Sequence, residues 1–276
     1  MLRQLFPAVL GKATDRMVHV QAVRALEDNF MYIVRDENSK KALLVDPVEP
    51  KKIIEVAEKN GLEVVGALIT HHHWDHAGGT PEFRKVFTDS VKVPIYGGDA
   101  RIEKLDKHVE HNQKVTIEGL EITSLSTPCH TKGHICYHIS SATGPSVVFT
   151  GDTLFIAGCG KFFEGIAEQM HKNLNEILSA LPDETKVYPG HEYTVSNLKF
   201  AQHVEPSNKE IAAKLAWASS VRSKDEDTVP STIGEEKAIN PFMRVATSAE
   251  VQKFTGTTDL VKGMDALRNA KNNFRP

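Results

Sequence analysis

This sequence predicts an α/β domain followed by a smaller, mainly helical one, on three observations. From Met17 to about residue 195, short apolar strand patterns alternate with helical ones. Beyond that point strand signals vanish and helical spacing takes over. Several strand patterns also run straight into His or Asp, which places chemistry at strand ends. Alternation at period 2 marks strands and recurrence at period 3.6 marks helices. The 276 residues suffice for one large domain plus a smaller one, and 40% hydrophobic with 25% charged residues is the composition of a soluble globular protein. The expected division is an extension at 1–16, an α/β domain at 17–195 and a smaller helical domain at 196–276.

In chain order, residues 17–26 (MVHVQAVRAL), 30–36 (FMYIVRD) and 41–48 (KALLVDPV) read as three strands, with turns at Asp28 and Asn29 and near Asn38. Residues 50–60 form an amphipathic helix: Pro50 starts it, Ile53, Ile54 and Ala57 share a face, and Gly61 ends it. Residues 62–70 (LEVVGALIT) make a strand, and Gly78, Gly79, Thr80 and Pro81 open a helix to about Phe87. Residues 93–97 are a short strand, and 100–109 are expected to be helical. Residues 115–119 and 120–127 pair around Gly119, with further strands at 135–141, 146–151 and 186–190. Residues 165–181 carry apolar residues at helical spacing. In the C-terminal part, 208–221, 250–254 and 259–274 read as helices, and the polar stretch 222–237 reads as a long loop.

Composition excludes several function classes. A net charge of −3 gives no global basic field for nucleic acid, and no apolar run approaches membrane-spanning length. Three cysteines, Cys129, Cys136 and Cys159, are too few for a disulfide framework and point to a reducing compartment. The first sixteen residues carry Arg3, Lys12 and Arg16 with a small apolar patch, a weak version of a mitochondrial targeting segment. Met17 offers an alternative start giving a cytosolic form. The cytoplasm is the expected location, with a mitochondrial form as the alternative.

Residues 71–76, His-His-His-Trp-Asp-His, follow directly on a strand. His71 and His73 share a face because successive side chains of a strand alternate, which turns His72 away. Imidazoles and carboxylates grouped this way suit zinc or a similar transition metal. Three more strand ends deliver donors: His130 after 120–127, Asp152 after 146–151 and His191 after 186–190. His71, His73 and His130 form one set of ligands. Asp75, His76 and His191 form a second, and Asp152 is left to bridge the two. Dinuclear centres of this kind hold cations about 3.5–4 Å apart and attack carbonyl or phosphoryl groups. His134 and His138 are read as packing or supporting groups. Cys129 and Cys159 are read as small buried apolar residues, although thiolate is also a zinc ligand. Asp46 either orients a ligand or is a turn residue before Pro47.

The stretches THHHWDHAGG, TPCHTKGHICY, GDTLFIAGCGKFFEG, YPGHEYT and NPFMR together resemble glyoxalase II, the hydroxyacylglutathione hydrolases of the metallo-β-lactamase superfamily, from Met17 to the C-terminus. The resemblance implies a four-layered αββα sandwich followed by a helical domain. It also implies two divalent metal ions per chain, zinc with iron or manganese as alternatives. The implied reaction is hydrolysis of S-D-lactoylglutathione to D-lactate and glutathione, with Asp75 and Asp152, themselves ligands, also expected to act catalytically by orienting the nucleophile. The substrate-binding residues it implies are Lys161, Phe163, Tyr193, Arg268 and Lys271, Phe163 standing where some members have tyrosine. Without the resemblance, Arg268 and Lys271 would read as a solvated basic face. The expected partner is the small glutathione thioester alone, with the chain a monomer. The rival reading is a glutathione persulfide dioxygenase on the same fold, with one iron held by two His and one Asp.

Overall fold

The computed structural model describes residues 17–275 apart from 90 and 142, so the predicted extension at 1–16 lies outside the described residues. The first sheet is built from β1 (Val18–Ala25), β2 (Asn29–Asp36), β3 (Lys41–Val45), β4 (Glu63–Ile69), β5 (Ile95–Gly97) and β6 (Lys107–His108), in that order. Between its strands run α1 (Pro50–Lys59), α2 (Trp74–Ala77) and α3 (Thr80–Val86). The second sheet contains β7 (Lys114–Ile117), β8 (Leu120–Ser126), β9 (Ile135–Ser140), β10 (Val147–Gly151), β13 (Lys186–Pro189) and β14 (Ser231–Thr232), ordered β14-β13-β10-β9-β8-β7. A small hairpin of β11 (Leu154–Phe155) and β12 (Gly158–Cys159) follows β10. The helices α4 (Ala167–Lys172), α5 (Thr194–Val204), α6 (Lys209–Ser223), α7 (Ile233–Ile239), α8 (Ala249–Thr255) and α9 (Leu260–Asn273) complete the chain.

The layers follow from strand parity. On β2, Phe30, Tyr32 and Val34 face the second sheet, while Met31 and Ile33 face α1 and α3. Both faces are buried, which is why β2 and β3 read as nearly continuous apolar runs. Between the sheets Tyr32, Tyr137 and Phe149 are fully buried. Truncation of a buried phenylalanine costs about 3–5 kcal/mol. Outside the first sheet lie Ile53, Ile54, Ala57 and Phe83; outside the second lie Met170, Leu174, Leu178, Met264 and Leu267. The result is the four-layered αββα sandwich. The C-terminal helices share that last core, with α9 and α8 packed where α4 meets the second sheet, while α5, α6 and α7 bury Leu198, Ile211 and Ile239 in a further cluster.

Three expectations need correction. Residues 100–109 are turns ending in β6, not a helix, because Asp99 closes a turn onto the Arg101 backbone N–H and Lys104 takes a left-handed φ of 60°. Ile102 and Leu105 bury themselves at helical spacing without a helix. The supposed loop 222–237 contains β14 and the start of α7, whose Thr232 hydroxyl accepts the Glu235 N–H at 3.1 Å. The 165–181 helix is α4 continued through a π-helical turn at Asn173–Leu178. Among the described residues no helix is long and apolar enough to cross a membrane.

Candidate metal centre

Four strand ends converge at one edge of the sandwich. β4 of the first sheet delivers His71 and His73, and α2 turns Asp75 and His76 back toward them. From the second sheet, β8 leads to His130, β10 to Asp152 and β13 to His191. His73 Nδ1 lies 3.1 Å from His71 Nε2 and 3.1 Å from His130 Nε2. His76 Nε2 lies 3.2 Å from His191 Nε2 and 3.6 Å from Asp75 Oδ2. Asp152 reaches both groups, with Oδ1 3.3 Å from His76 Nε2 and Oδ2 3.3 Å from His130 Nε2 and 3.5 Å from His191 Nε2. Donor atoms cluster within 4.8 Å as His71–His73–His130 and as Asp75–His76–His191. A third cluster, His71–His76–Asp152, lies between them.

The far ring nitrogens of four of these imidazoles are engaged. His71 Nδ1 meets the Thr70 hydroxyl at 3.0 Å, and His76 Nδ1 meets Asp46 Oδ2 at 3.0 Å. His130 Nδ1 meets the Lys161 carbonyl at 3.0 Å, and His191 Nδ1 meets Asp28 Oδ1 at 2.7 Å. Partners of this kind fix ring orientation and raise ligand basicity. They leave the near nitrogens facing one another across the centre, and Asp152 Oδ1 is buried with no hydrogen-bond partner. Such a donor set fits divalent cations bound by nitrogen and carboxylate.

Backbone geometry allows the approach. Gly151 sits at φ +44°, and a Cβ there would fall 2.6 Å from the Thr70 hydroxyl and 2.8 Å from His134 Nε2. His134 itself stacks on His71 and accepts the Asp152 backbone N–H at 3.1 Å, so it supports the centre from behind. Asp46 likewise supports it, accepting the Thr70 N–H and hydroxyl besides facing His76.

Charge is divided unevenly. Burial drives His71 well below the usual imidazole range and brings His73 down to about 4. For His191 burial acts downward, but the Asp152 and Asp75 carboxylates outweigh it and raise the ring to about 10. His76 is raised for the same reason by Asp152 and Asp46. Burial alone would raise Asp75 and Asp152, yet the neighbouring imidazoles hold both well below the ordinary carboxylate range. Both shifts favour positive charge among His76, His191 and the carboxylates around them, the role that a bound cation would take over.

The centre opens into a cavity of about 490 Å³. Lys161, Phe163, Tyr193, Arg268 and Lys271 all line it, so the structure brings every predicted substrate residue to the mouth of the donor groups. Tyr193 stacks on His191 at 4.7 Å, and the Phe163 ring lies 5.1 Å from that of His130. Arg268 is buried, and its Nη1 donates to the Cys159 carbonyl at 2.8 Å; a solvated basic face is ruled out for it. Burial, with Arg268 nearby, lowers the Lys271 ammonium to about 8. Cys129 and Cys159 are buried and unpaired, and neither joins a donor group. Sequence reading missed Asn29, whose amide donates to the Asp75 carbonyl at 3.0 Å and to its carboxylate at 3.2 Å, and Asp28 behind His191. Their signal was a polar pair read only as a turn.

Comparison with known proteins agrees with this geometry. Residues 26–191 match the model of the metallo-β-lactamase superfamily, and residues 192–274 match that of the hydroxyacylglutathione hydrolase C-terminus. A hydroxyacylglutathione hydrolase-like protein of Gallus gallus is 46% identical over 93% of this chain and 90% of its own length. The cytoplasmic hydroxyacylglutathione hydrolase of Arabidopsis thaliana is 47% identical over 92% of this chain and 98% of its own. The crystal structure of ETHE1 from Myxococcus xanthus shares the fold, with a TM-score of 0.65 at 23% identity over 92% of this chain and 90% of that one. With both halves matched, the chain belongs to the hydroxyacylglutathione hydrolase family of the metallo-β-lactamase superfamily.

Proposed function

We propose that this chain hydrolyses glutathione thioesters of 2-hydroxy acids, S-D-lactoylglutathione first among them, to the free acid and glutathione. One observation carries the reading: a single cavity joins the two donor groups to the cations Lys161, Arg268 and Lys271. The family and the names of its members supply the thioester. Two divalent cations are assigned per chain, zinc with iron or manganese as alternatives. His71, His73, His130 and Asp152 would hold one, and Asp75, His76, His191 and Asp152 the other.

When bound, cations at such a centre acidify water and polarise a carbonyl oxygen. The protein's own groups do the rest. Asp75 and Asp152 are ionised and face each other across His191, 3.4 and 3.5 Å from its Nε2, where they orient the attacking water. Lys161, Arg268 and Lys271 pair with the carboxylates of the tripeptide, which converts an encounter into an oriented attack. Phe163 and Tyr193 wall the approach with ring faces. Water that has released a proton to solvent adds as hydroxide to the thioester carbon, the carbon–sulfur bond breaks, and glutathione leaves as thiolate beside the free acid, so no protein general acid is needed. The compartment we propose is the cytoplasm, following the name of the Arabidopsis relative.

The test is hydrolysis of S-D-lactoylglutathione with metal analysis of the same sample. Hydrolysis with two ions per chain is expected. One iron per chain, oxygen consumption with glutathione persulfide and no thioester cleavage would replace this reading with the dioxygenase.

A further inference from the structure

The segment 160–165, which carries Lys161 and Phe163, has glycine at each end and no helix or strand within it. Its conformation therefore depends on tethers. Three are hydrogen bonds local to the site: the Gly160 N–H donates to the Thr153 carbonyl at 3.4 Å, the Lys161 carbonyl meets His130 Nδ1, and the Glu164 N–H donates to the Cys129 carbonyl at 3.2 Å. Phe162, partly buried, packs on the core beside them, and a charged knot outside the cavity is a further tether. Arg101 donates from Nη1 and Nη2 to the two oxygens of Glu164 at 2.6 and 2.8 Å, and from Nε and Nη2 to Asp99 at 2.9 and 2.7 Å. Glu164 also accepts the Lys132 backbone N–H at 2.7 Å.

Four loops meet there. His72, which takes part in neither predicted set of ligands, turns its Nδ1 to 3.4 Å from Asp99 and its Nε2 to 4.0 Å from Glu164. Asp99 is buried against Gly133, where a Cβ would fall 2.6 Å from its own. Isolated exposed ion pairs contribute little, but a two-pronged arginine–carboxylate contact within a network fixes orientation as well as distance.

We infer that Arg101 and Glu164 are positioning residues: their two-pronged ion pair holds segment 160–165 so that Lys161 and Phe163 face the metal centre and the substrate is gripped. The inference rests on the glutathione-thioester reading. None of Asp99, Arg101 and Glu164 lines the cavity, so their effect reaches the substrate only through the segment.

The experiment compares Arg101→Gln, Glu164→Gln, the double variant and Arg101→Lys with the unsubstituted metal-loaded chain, measuring kcat, KM, metal content and thermal unfolding. Each single glutamine variant is expected to raise KM about tenfold, as a small displacement of a gripping group does, with kcat and metal content held. The double variant should be no worse than Arg101→Gln alone, since that substitution already breaks the Arg101–Glu164 contact along with the bonds to Asp99. Arg101→Lys, which keeps the charge but not the fork, should fall between. An unchanged KM, additive effects in the double variant, or a loss of kcat in step with metal overturns the inference. Failure of the unsubstituted chain to cleave the thioester would overturn the function and this inference together, whereas cleavage with unaltered KM in the variants overturns the inference alone.

Discussion

Glu236 offers a stability prediction whose size can be worked from its surroundings. Its side chain is fully buried on α7, accepting the Ser231 hydroxyl at 2.7 Å, the Ala157 N–H at 2.8 Å and the Asn240 amide at 3.0 Å. Burial outweighs these donors and raises its pKa from 4.5 to about 7. Below pH 4.5 both folded and unfolded chains hold the proton. Between 4.5 and 7 the folded chain keeps a proton that the unfolded one releases, so stability falls as pH rises, and the loss is complete above 7. A displacement of that size corresponds to about 3 kcal/mol. Glu236→Gln keeps the shape, with its carbonyl toward Ala157 and its amide toward Ser231, and cannot ionise. The assay is denaturant unfolding of both proteins at pH 5 and pH 8 with identical metal loading, so that other groups cancel in the difference. Part of the loss has already occurred at pH 5, so the glutamine variant should gain about 2.5 kcal/mol relative to the parent between the two pH values. A difference independent of pH would refute the burial argument.

The other predictions concern the site. Asp152→Ala should remove most hydrolysis and lower metal content together, by elemental analysis; a metal-replete, fully active variant would end the bridging assignment. Arg268→Ala should raise KM and also lower the unfolding midpoint, since the guanidinium holds the Cys159 carbonyl as well as lining the cavity. For Lys271, lowered to about 8, the cation is present below that pH and lost above it. The kcat/KM for the anionic thioester should therefore fall as pH rises through 8, and Lys271→Met should erase that step. Zinc added to metal-free protein at neutral pH should displace a proton from the His76–His191 pair, seen as a buffer-dependent heat in calorimetry.

The donors were legible because each follows a short apolar strand, and strand ends are local sequence features. Period 2 also separates His72 from His71 and His73. What could not be read was contact across distance. Asn29 meets Asp75 and Asp28 meets His191 through pairings 46 and 163 residues apart, and Arg101 finds Glu164 across 63. Residues 100–109 misled because Ile102 and Leu105 have helical spacing while the chain between them turns left-handed at Lys104. The helix α7 was hidden by its polar composition, although Thr232 and Glu235 have the spacing of a helix start.

The donors come from both halves of the sandwich: His71, His73, Asp75 and His76 from the first sheet's edge, and His130, Asp152 and His191 from the second. In the holoenzyme proposed above, each cation therefore acts as a rivet through two plates. Ions that bind only the folded chain stabilise it by mass action. A chelator should thus do more than silence the enzyme: it should let the two sheets separate at lower denaturant and make the apoprotein's unfolding midpoint depend on the zinc concentration of the buffer.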